Sequence, residues 1–122
     1  MITVLTLAAG AAGAVARFLV DAEVKRRWST LFPWATFGIN VTGSLLLGVL
    51  AGVVLFHDQP SAWQTVLGTG FCGGYTTFST ASFETVRLIQ QKAHGRALLN
   101  ALGSLVASVA ACACGLALVW TL

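Results

Sequence analysis

Apolar residues in this chain form four long runs, and short polar segments separate them. The runs cover residues about 2–20, 34–56, 63–89 and 97–121. Each is long enough to cross a membrane, because a transmembrane helix needs roughly 20 predominantly apolar residues. Four tryptophans lie near the ends of the runs: Trp28, Trp34, Trp63 and Trp120. Since an amphipathic indole suits the headgroup region, the pattern predicts an all-α membrane protein with one domain, residues 1–122, of four transmembrane helices.

The composition supports a membrane protein and argues against two other classes. Of the 122 residues, 57% are hydrophobic and 9% are charged, which leaves too little polar surface for a soluble domain. The basic residues form short clusters between the apolar runs and no basic face, so nucleic-acid binding is not predicted. No nucleophile is paired with a base, and His57 and His94 lie in connections, so no enzyme activity is expected. The three cysteines lie inside apolar runs and are interpreted as structural thiols.

The positions of the basic residues predict how the chain is oriented. All seven lie in the first and third connections or at the span ends next to them: Arg17, Lys25, Arg26, Arg27, Arg87, Lys92 and Arg96. The N-terminus, the second connection and the C-terminus carry none. Because Lys and Arg are enriched in cytoplasmic loops, the sequence predicts both termini outside the cell and the first and third connections in the cytoplasm.

Polar and small residues recur at four-residue spacing on the second and fourth runs, which places each set on one helix face. The second run carries Thr36, Asn40, Ser44, Gly48 and Gly52. The fourth carries a polar line, Asn100, Ser104, Ser108 and Cys112, beside a line of small residues, Gly103, Ala107, Ala111 and Gly115. The small residues indicate close helix packing. Asn40 and Asn100 cannot easily face lipid, so each is expected to need a polar partner or water.

The third run contains residues that interrupt a helix. Gly73 and Gly74 are adjacent, and the β-branched Thr76 and Thr77 follow closely. These are poor residues for a helix interior, and they lie near the middle of the run, where an unpaired backbone group costs several kcal/mol. The sequence therefore predicts a third helix broken at mid-membrane, where the break lines a cavity or holds an ion.

The segment from Gly73 to Thr80, Gly-Gly-Tyr-Thr-Thr-Phe-Ser-Thr, closely resembles the third-span core of the Fluc (CrcB) fluoride channel family. The glycine-rich first run that ends at Arg17 and the segment from Thr36 to Gly43 are similar to other motifs of that family. The resemblance implies a channel of the bacterial plasma membrane, surrounded by lipid, that exports cytoplasmic fluoride and so reduces its toxicity. It also implies an antiparallel, dual-topology-type dimer in which the two helix breaks meet.

The resemblance assigns roles to seven residues. Backbone carbonyls of Gly73 and Thr76 from both subunits are expected to hold one structural sodium ion, Na+, that is not transported. Four residues are expected to line the fluoride pores: Asn40, Phe78, Ser104 and Ser108. Arg17 is expected in an aqueous vestibule that attracts anions, and an arginine that extends to the membrane interface is the equal alternative.

One position departs from the family pattern. The family usually has a second phenylalanine three residues after the first, and this chain has Ala81 there, with Phe83 on a different face. Glu84 is retained at the family's carboxylate position and is expected near the membrane edge, in contact with Arg87. The missing ring and the one-sided charge favour a dimer with a second homologous subunit, and a dimer of identical chains stays open.

The main alternative function is a small four-helix proton-coupled multidrug exporter. Such an exporter needs a carboxylate embedded in the membrane to exchange protons. The only ionisable residue of the first run is Arg17, and Glu84 lies late in the third. A helper subunit that transports nothing would leave the interruption of the third run unexplained. The fluoride channel is therefore the favoured prediction.

Overall fold

The computed structural model describes all 122 residues, and it consists of helices joined by short connections. Helix α1 is Ile2–Arg27 and α2 is Trp34–Phe56. Helix α3 covers residues 61–75, and its central part, Gln64–Cys72, is π-helical. Helix α4 is Phe78–Gln90, and α5 is His94–Trp120 with a π-helical turn at Leu99–Gly103. Helices α1, α2 and α5 are long and apolar enough to cross a membrane.

Helix α1 is longer than the sequence predicts. The basic cluster was expected in the first connection, and that expectation is wrong, because Lys25, Arg26 and Arg27 form the last turn of α1. No glycine or proline stops the helix before Pro33, and basic side chains are favourable at a helix C-terminus. Asp21 pairs with Lys25 at 3.0 Å, and Glu23 pairs with both arginines at 2.7 Å. These exposed ion pairs lie in the part of α1 beyond the apolar run and contribute little to stability.

Two pairs of helices pack closely, and glycines form both contacts. Helix α1 lies against α3, and α2 lies against α5. A Cβ atom added at Gly13 or Gly74 would clash with a backbone carbonyl across the α1–α3 contact. A Cβ atom at Gly48 or Gly115 would clash with backbone across the α2–α5 contact. The prediction that these small residues serve packing is confirmed for Gly48 and Gly115.

The subunit leaves most of its apolar surface uncovered. Only 18 of the 122 residues are buried, and large apolar side chains on every helix are exposed. A soluble monomer rarely exposes contiguous apolar patches of more than a few hundred Å². The outer faces of the helices are therefore suited to lipid or to another subunit.

Candidate functional site

The third apolar run is interrupted at Thr76 and Thr77. Helix α3 ends at Tyr75 and α4 begins at Phe78, and both threonines have extended ψ angles, 160° and 121°. The Thr77 hydroxyl caps α4, because its Oγ1 accepts a hydrogen bond of 3.1 Å from the Thr80 N–H. Threonine favours such cap positions, since its hydroxyl offers the backbone a partner outside the helix.

Asn40 holds the interrupted backbone in place. Its amide nitrogen donates to the Thr77 carbonyl at 2.9 Å, and its amide oxygen accepts from the Thr77 N–H at 2.8 Å. Thr77 is only 8% exposed, so its backbone groups depend on these partners. A carbonyl only accepts and an N–H only donates, which fixes the orientation of the Asn40 amide. The expectation that Asn40 needs a polar partner is confirmed. The partner is the backbone of Thr77, the residue that caps α4.

The same contacts remove the usual donors from two carbonyl groups. In a continuous α-helix, the Thr77 N–H would donate to Gly73 and the Thr80 N–H to Thr76. Here the first donates to Asn40 and the second to the Thr77 hydroxyl. Gly73 is also exposed, and a Cβ atom added to it would meet nothing within 4 Å. Carbonyl oxygens without a donor are suitable ligands for a hard cation, so these residues fit the predicted Na+ site.

A cleft of about 820 Å³ lies beside the interruption, and helices α2 to α5 all contribute to it. Six of the seven predicted site residues line it: Asn40, Gly73, Thr76, Phe78, Ser104 and Ser108. The Asn40 amide nitrogen uses one N–H for Thr77 and keeps a second. Arg17 is the exception, because it does not line the cleft and forms none of the three ion pairs. The cleft thus combines hydroxyl and amide groups with exposed carbonyls.

Phe78 extends away from its own subunit. It is the first residue of α4, and 88% of its surface is exposed, although it also lines the cleft. Ala81 lines the same cleft one helical turn later. The subunit therefore leaves most of Phe78 uncovered, and a methyl group occupies the position of the family's second ring.

A second polar network joins α4 to α5 at the edge of the cleft. Asn100 is 1% exposed, and its amide nitrogen donates to Thr85 Oγ1 at 2.8 Å and to the Ala81 carbonyl at 3.3 Å. Its amide oxygen accepts from the Ser104 hydroxyl at 3.4 Å. The expectation that Asn100 needs a partner is confirmed. Nothing in the sequence around Thr85 marks it as the partner of Asn100, which lies 15 residues away.

Asn100→Leu is expected to lower the free energy of unfolding by about 1–3 kcal/mol, because the partly buried Thr85 hydroxyl and Ala81 carbonyl each lose a donor. Thermal denaturation of the purified protein in detergent measures this change. The matched variant is Ser108→Ala on the same helix, which is expected to stay within about 0.5 kcal/mol of the parent protein. Equal melting temperatures for Asn100→Leu and Ser108→Ala would contradict the network.

Glu84 has a different partner from the one expected. The contact with Arg87 was wrong, because Glu84 turns toward α2, and its Oε1 accepts a hydrogen bond of 2.9 Å from the Thr36 hydroxyl. Thr36 is 2% exposed, and the other carboxylate oxygen of Glu84 is buried without a partner. An i,i+3 contact with Arg87 on an exposed helix face would be weak. The interhelical hydrogen bond from Thr36 is therefore the stronger contact for Glu84.

Comparison with known proteins identifies the family. Residues 4–116 match the family described as CrcB-like protein, Camphor Resistance (CrcB). The chain belongs to the CrcB family. As a CrcB protein with three long apolar helices, it is a multi-pass membrane protein.

Individual CrcB relatives match over most of their length. The chain is 48% identical to fluoride-specific ion channel FluC 1 of Leifsonia xyli, over 88% of this chain and 79% of the relative. It is 45% identical to FluC 1 of Frankia casuarinae, over 93% and 92% of the two chains. It is 48% identical to FluC 2 of Cutibacterium acnes, over 90% of both. The resemblance predicted from the third run is therefore confirmed over nearly the whole chain.

Proposed function

We propose that this chain is a subunit of a fluoride-specific channel that lets cytoplasmic fluoride leave the cell. The observation that carries the proposal is the cleft beside the interrupted helix, in a chain 48% identical to a fluoride-specific ion channel. The cleft presents the Ser108 hydroxyl, the second N–H of Asn40, and the Ser104 hydroxyl, which has to turn from Asn100 to donate to an anion. The multidrug exporter is not favoured, because the relatives are named as channels and Glu84 is held by Thr36.

The chemistry of the cleft suits a small and strongly hydrated anion. A pore for fluoride has to replace its hydration water with hydrogen-bond donors, and hydroxyl and amide groups are such donors. The edge of the Phe78 ring adds a region of positive electrostatic potential. An inside-negative membrane potential drives an anion outward by about 2.3 kcal/mol per 100 mV. Export along this gradient requires no ATP.

The proposed channel is a dimer of oppositely oriented subunits, with the interruption of the third span at mid-membrane. Two exposed residues support this arrangement. Phe78 lacks packing within its own subunit, and Gly73 faces open space. Exposed carbonyl groups at membrane depth need protein or water to cover them, and a protein surface that covers Gly73 can also pack against the Phe78 ring. A second subunit placed on the cleft supplies that surface and completes the two pathways.

The proposed cation site lies where the interruptions of the two subunits meet. Each subunit contributes two carbonyl oxygens, from Gly73 and Thr76, whose usual donors are diverted. Oxygen-only coordination suits a hard cation such as Na+. When bound, the ion supplies positive charge that holds the four carbonyl dipoles together. Arg17 is proposed for the vestibule at the pore entrance or for the membrane interface, and its place outside the cleft fits both.

The orientation of the chain gives a testable prediction about its partner. His57 Nε2 lies 3.3 Å from the Val119 carbonyl, so the second connection and the end of α5 share one side of the subunit, and neither carries Lys or Arg. We expect a membrane-impermeant maleimide to label Gln59→Cys and not His94→Cys in intact cells, because the positive-inside rule selects one orientation. The three native cysteines are first replaced by alanine.

Labelling after cell lysis serves as the control, since both positions are then accessible. One-sided labelling in intact cells supports a heterodimer with a second homologous subunit of opposite orientation. Labelling of both positions from outside, in similar amounts, would establish dual insertion and therefore a dimer of identical chains.

Growth in fluoride tests the proposed function in cells. A bacterium that lacks its own fluoride exporter should regain growth when it expresses this chain, alone or with its homologous subunit. Expression of Phe78→Ala at the same level provides the matched control and should not restore growth. Equal sensitivity of cells with and without the parent chains would count against the channel.

A further inference from the structure

We infer that Asn40 is a positioning residue for the proposed cation site, because it holds the Thr77 N–H away from the Gly73 carbonyl. This inference rests on the proposed function and adds a second role to a residue that the pore already uses. The Asn40 oxygen lies 2.8 Å from the Thr77 nitrogen, on a helix 37 residues away in sequence. The bond thus crosses from α2 to the interruption between α3 and α4.

Because Thr77 is buried, Asn40 determines whether the Gly73 carbonyl accepts the Thr77 N–H. A buried N–H has to find an acceptor, and Thr77 is only 8% exposed. Two acceptors compete for it, the Asn40 oxygen and the Gly73 carbonyl that would accept it in a continuous helix. While Asn40 accepts the bond, the Gly73 carbonyl stays free for a cation. Without Asn40, the Thr77 N–H returns to the Gly73 carbonyl, takes one of its two lone pairs and draws the carbonyl into line with the helix axis, away from the cation site.

Asn40 also donates to the Thr77 carbonyl at 2.9 Å, which secures the extended backbone from its other side. Its second N–H remains free on the wall of the cleft. One side chain therefore joins the proposed fluoride path to the proposed cation site. The two roles depend on different atoms, because the amide oxygen frees the Gly73 carbonyl and the spare N–H faces the path.

Different substitutions separate these two roles. Asn40→Asp keeps an oxygen that accepts the Thr77 N–H, but it removes both amide donors and places a carboxylate beside an anion path. Asn40→Leu has a similar size and removes the acceptor as well. Ser44→Ala is the matched control, since Ser44 lines the cleft one turn further along α2 and makes no hydrogen bond to the interruption.

The test compares melting temperatures of the purified dimer, formed by the full-length chain alone or with its homologous subunit, in sodium chloride and in choline chloride at matched concentration. A ligand that binds only the folded state raises the melting temperature. We expect a sodium-dependent rise for the parent protein, for Ser44→Ala and for Asn40→Asp, and no rise for Asn40→Leu. Fluoride efflux should be lost by Asn40→Asp. If Asn40→Leu does not fold, Asn40→Ser, whose side chain is one bond shorter, takes its place with the same expectation.

The outcomes distinguish this inference from the proposed function. A sodium-dependent rise in Asn40→Leu equal to that of the parent protein would overturn the positioning role and leave the cation site standing. Loss of the rise in Asn40→Asp would also overturn it, because the acceptor is still present there. A parent protein that gains no stability from sodium would overturn the cation site and this inference together, whereas fluoride efflux would remain to be measured on its own.

Discussion

Replacing Phe78 with alanine is expected to reduce fluoride efflux at least tenfold and to leave the subunit folded. The ring is 88% exposed, so its removal opens no cavity in the subunit and costs little stability. Any loss of efflux then reflects the pathway, where a tenfold change corresponds to about 1.4 kcal/mol in the barrier. Initial rates from liposomes, read with a fluoride electrode, measure the effect.

Phe83→Ala is the matched control for this prediction. Phe83 lies on the same helix, and 67% of its surface is exposed, but it does not line the cleft. Its replacement should leave efflux unchanged. Ala81→Phe adds a ring at the cleft and should keep or increase efflux. An assembled Phe78→Ala protein with the efflux of the parent would remove Phe78 from the pathway.

The second large effect is expected at two adjacent glycines, which should behave in opposite ways. A Cβ atom at Gly74 would clash with the Gly10 backbone carbonyl, which cannot turn aside as a side chain can. Overpacking of this kind costs about 1–3 kcal/mol or more, so Gly74→Ala should strongly lower the yield and melting temperature of folded protein. At Gly73 the backbone is α-helical and a Cβ atom meets nothing within 4 Å.

Gly73→Ala should therefore leave the subunit at least as stable as the parent, since alanine favours a helix by about 1 kcal/mol over glycine. Gly73→Val keeps the fold but places a branched side chain beside the proposed cation site, so fluoride efflux and sodium-dependent stabilisation should be lost. Size-exclusion chromatography and thermal denaturation separate the two glycines. Equal melting temperatures for Gly74→Ala and Gly73→Ala would contradict the α1–α3 packing, and normal efflux in Gly73→Val would contradict the cation site.

Local pattern was sufficient to predict much of this protein. The lengths of the four apolar runs are enough to predict four transmembrane helices. The spacing of small residues predicts the packing role of Gly48 and Gly115. The end of α1 was not predicted, because charged residues mark the end of an apolar run and still favour a helix. The apolar run therefore ends at about residue 20, whereas helix α1 continues to Arg27.

Long-range partners explain what the sequence did not reveal. Asn40 and Asn100 were expected to need partners, but a four-residue spacing does not identify Thr77 or Thr85 as those partners. The Glu84 contact was assigned to a neighbour in sequence, whereas Thr36 on another helix provides it. Helix packing decides these pairs, and packing depends on contacts between residues far apart in the chain. The hydrogen bonds of Asn40, Asn100 and Glu84 therefore follow from the three-dimensional packing of the helices.

Fluoride efflux from liposomes tests the central claim most directly. The purified chain is reconstituted with a potassium gradient, and valinomycin sets the membrane potential, while an electrode follows fluoride outside. The parent protein, alone or purified with its homologous subunit, should release fluoride rapidly and retain chloride, and Phe78→Ala should release fluoride at least tenfold more slowly. Fluoride release no faster than from protein-free liposomes, for the chain alone and for the chain with that subunit, would contradict the channel.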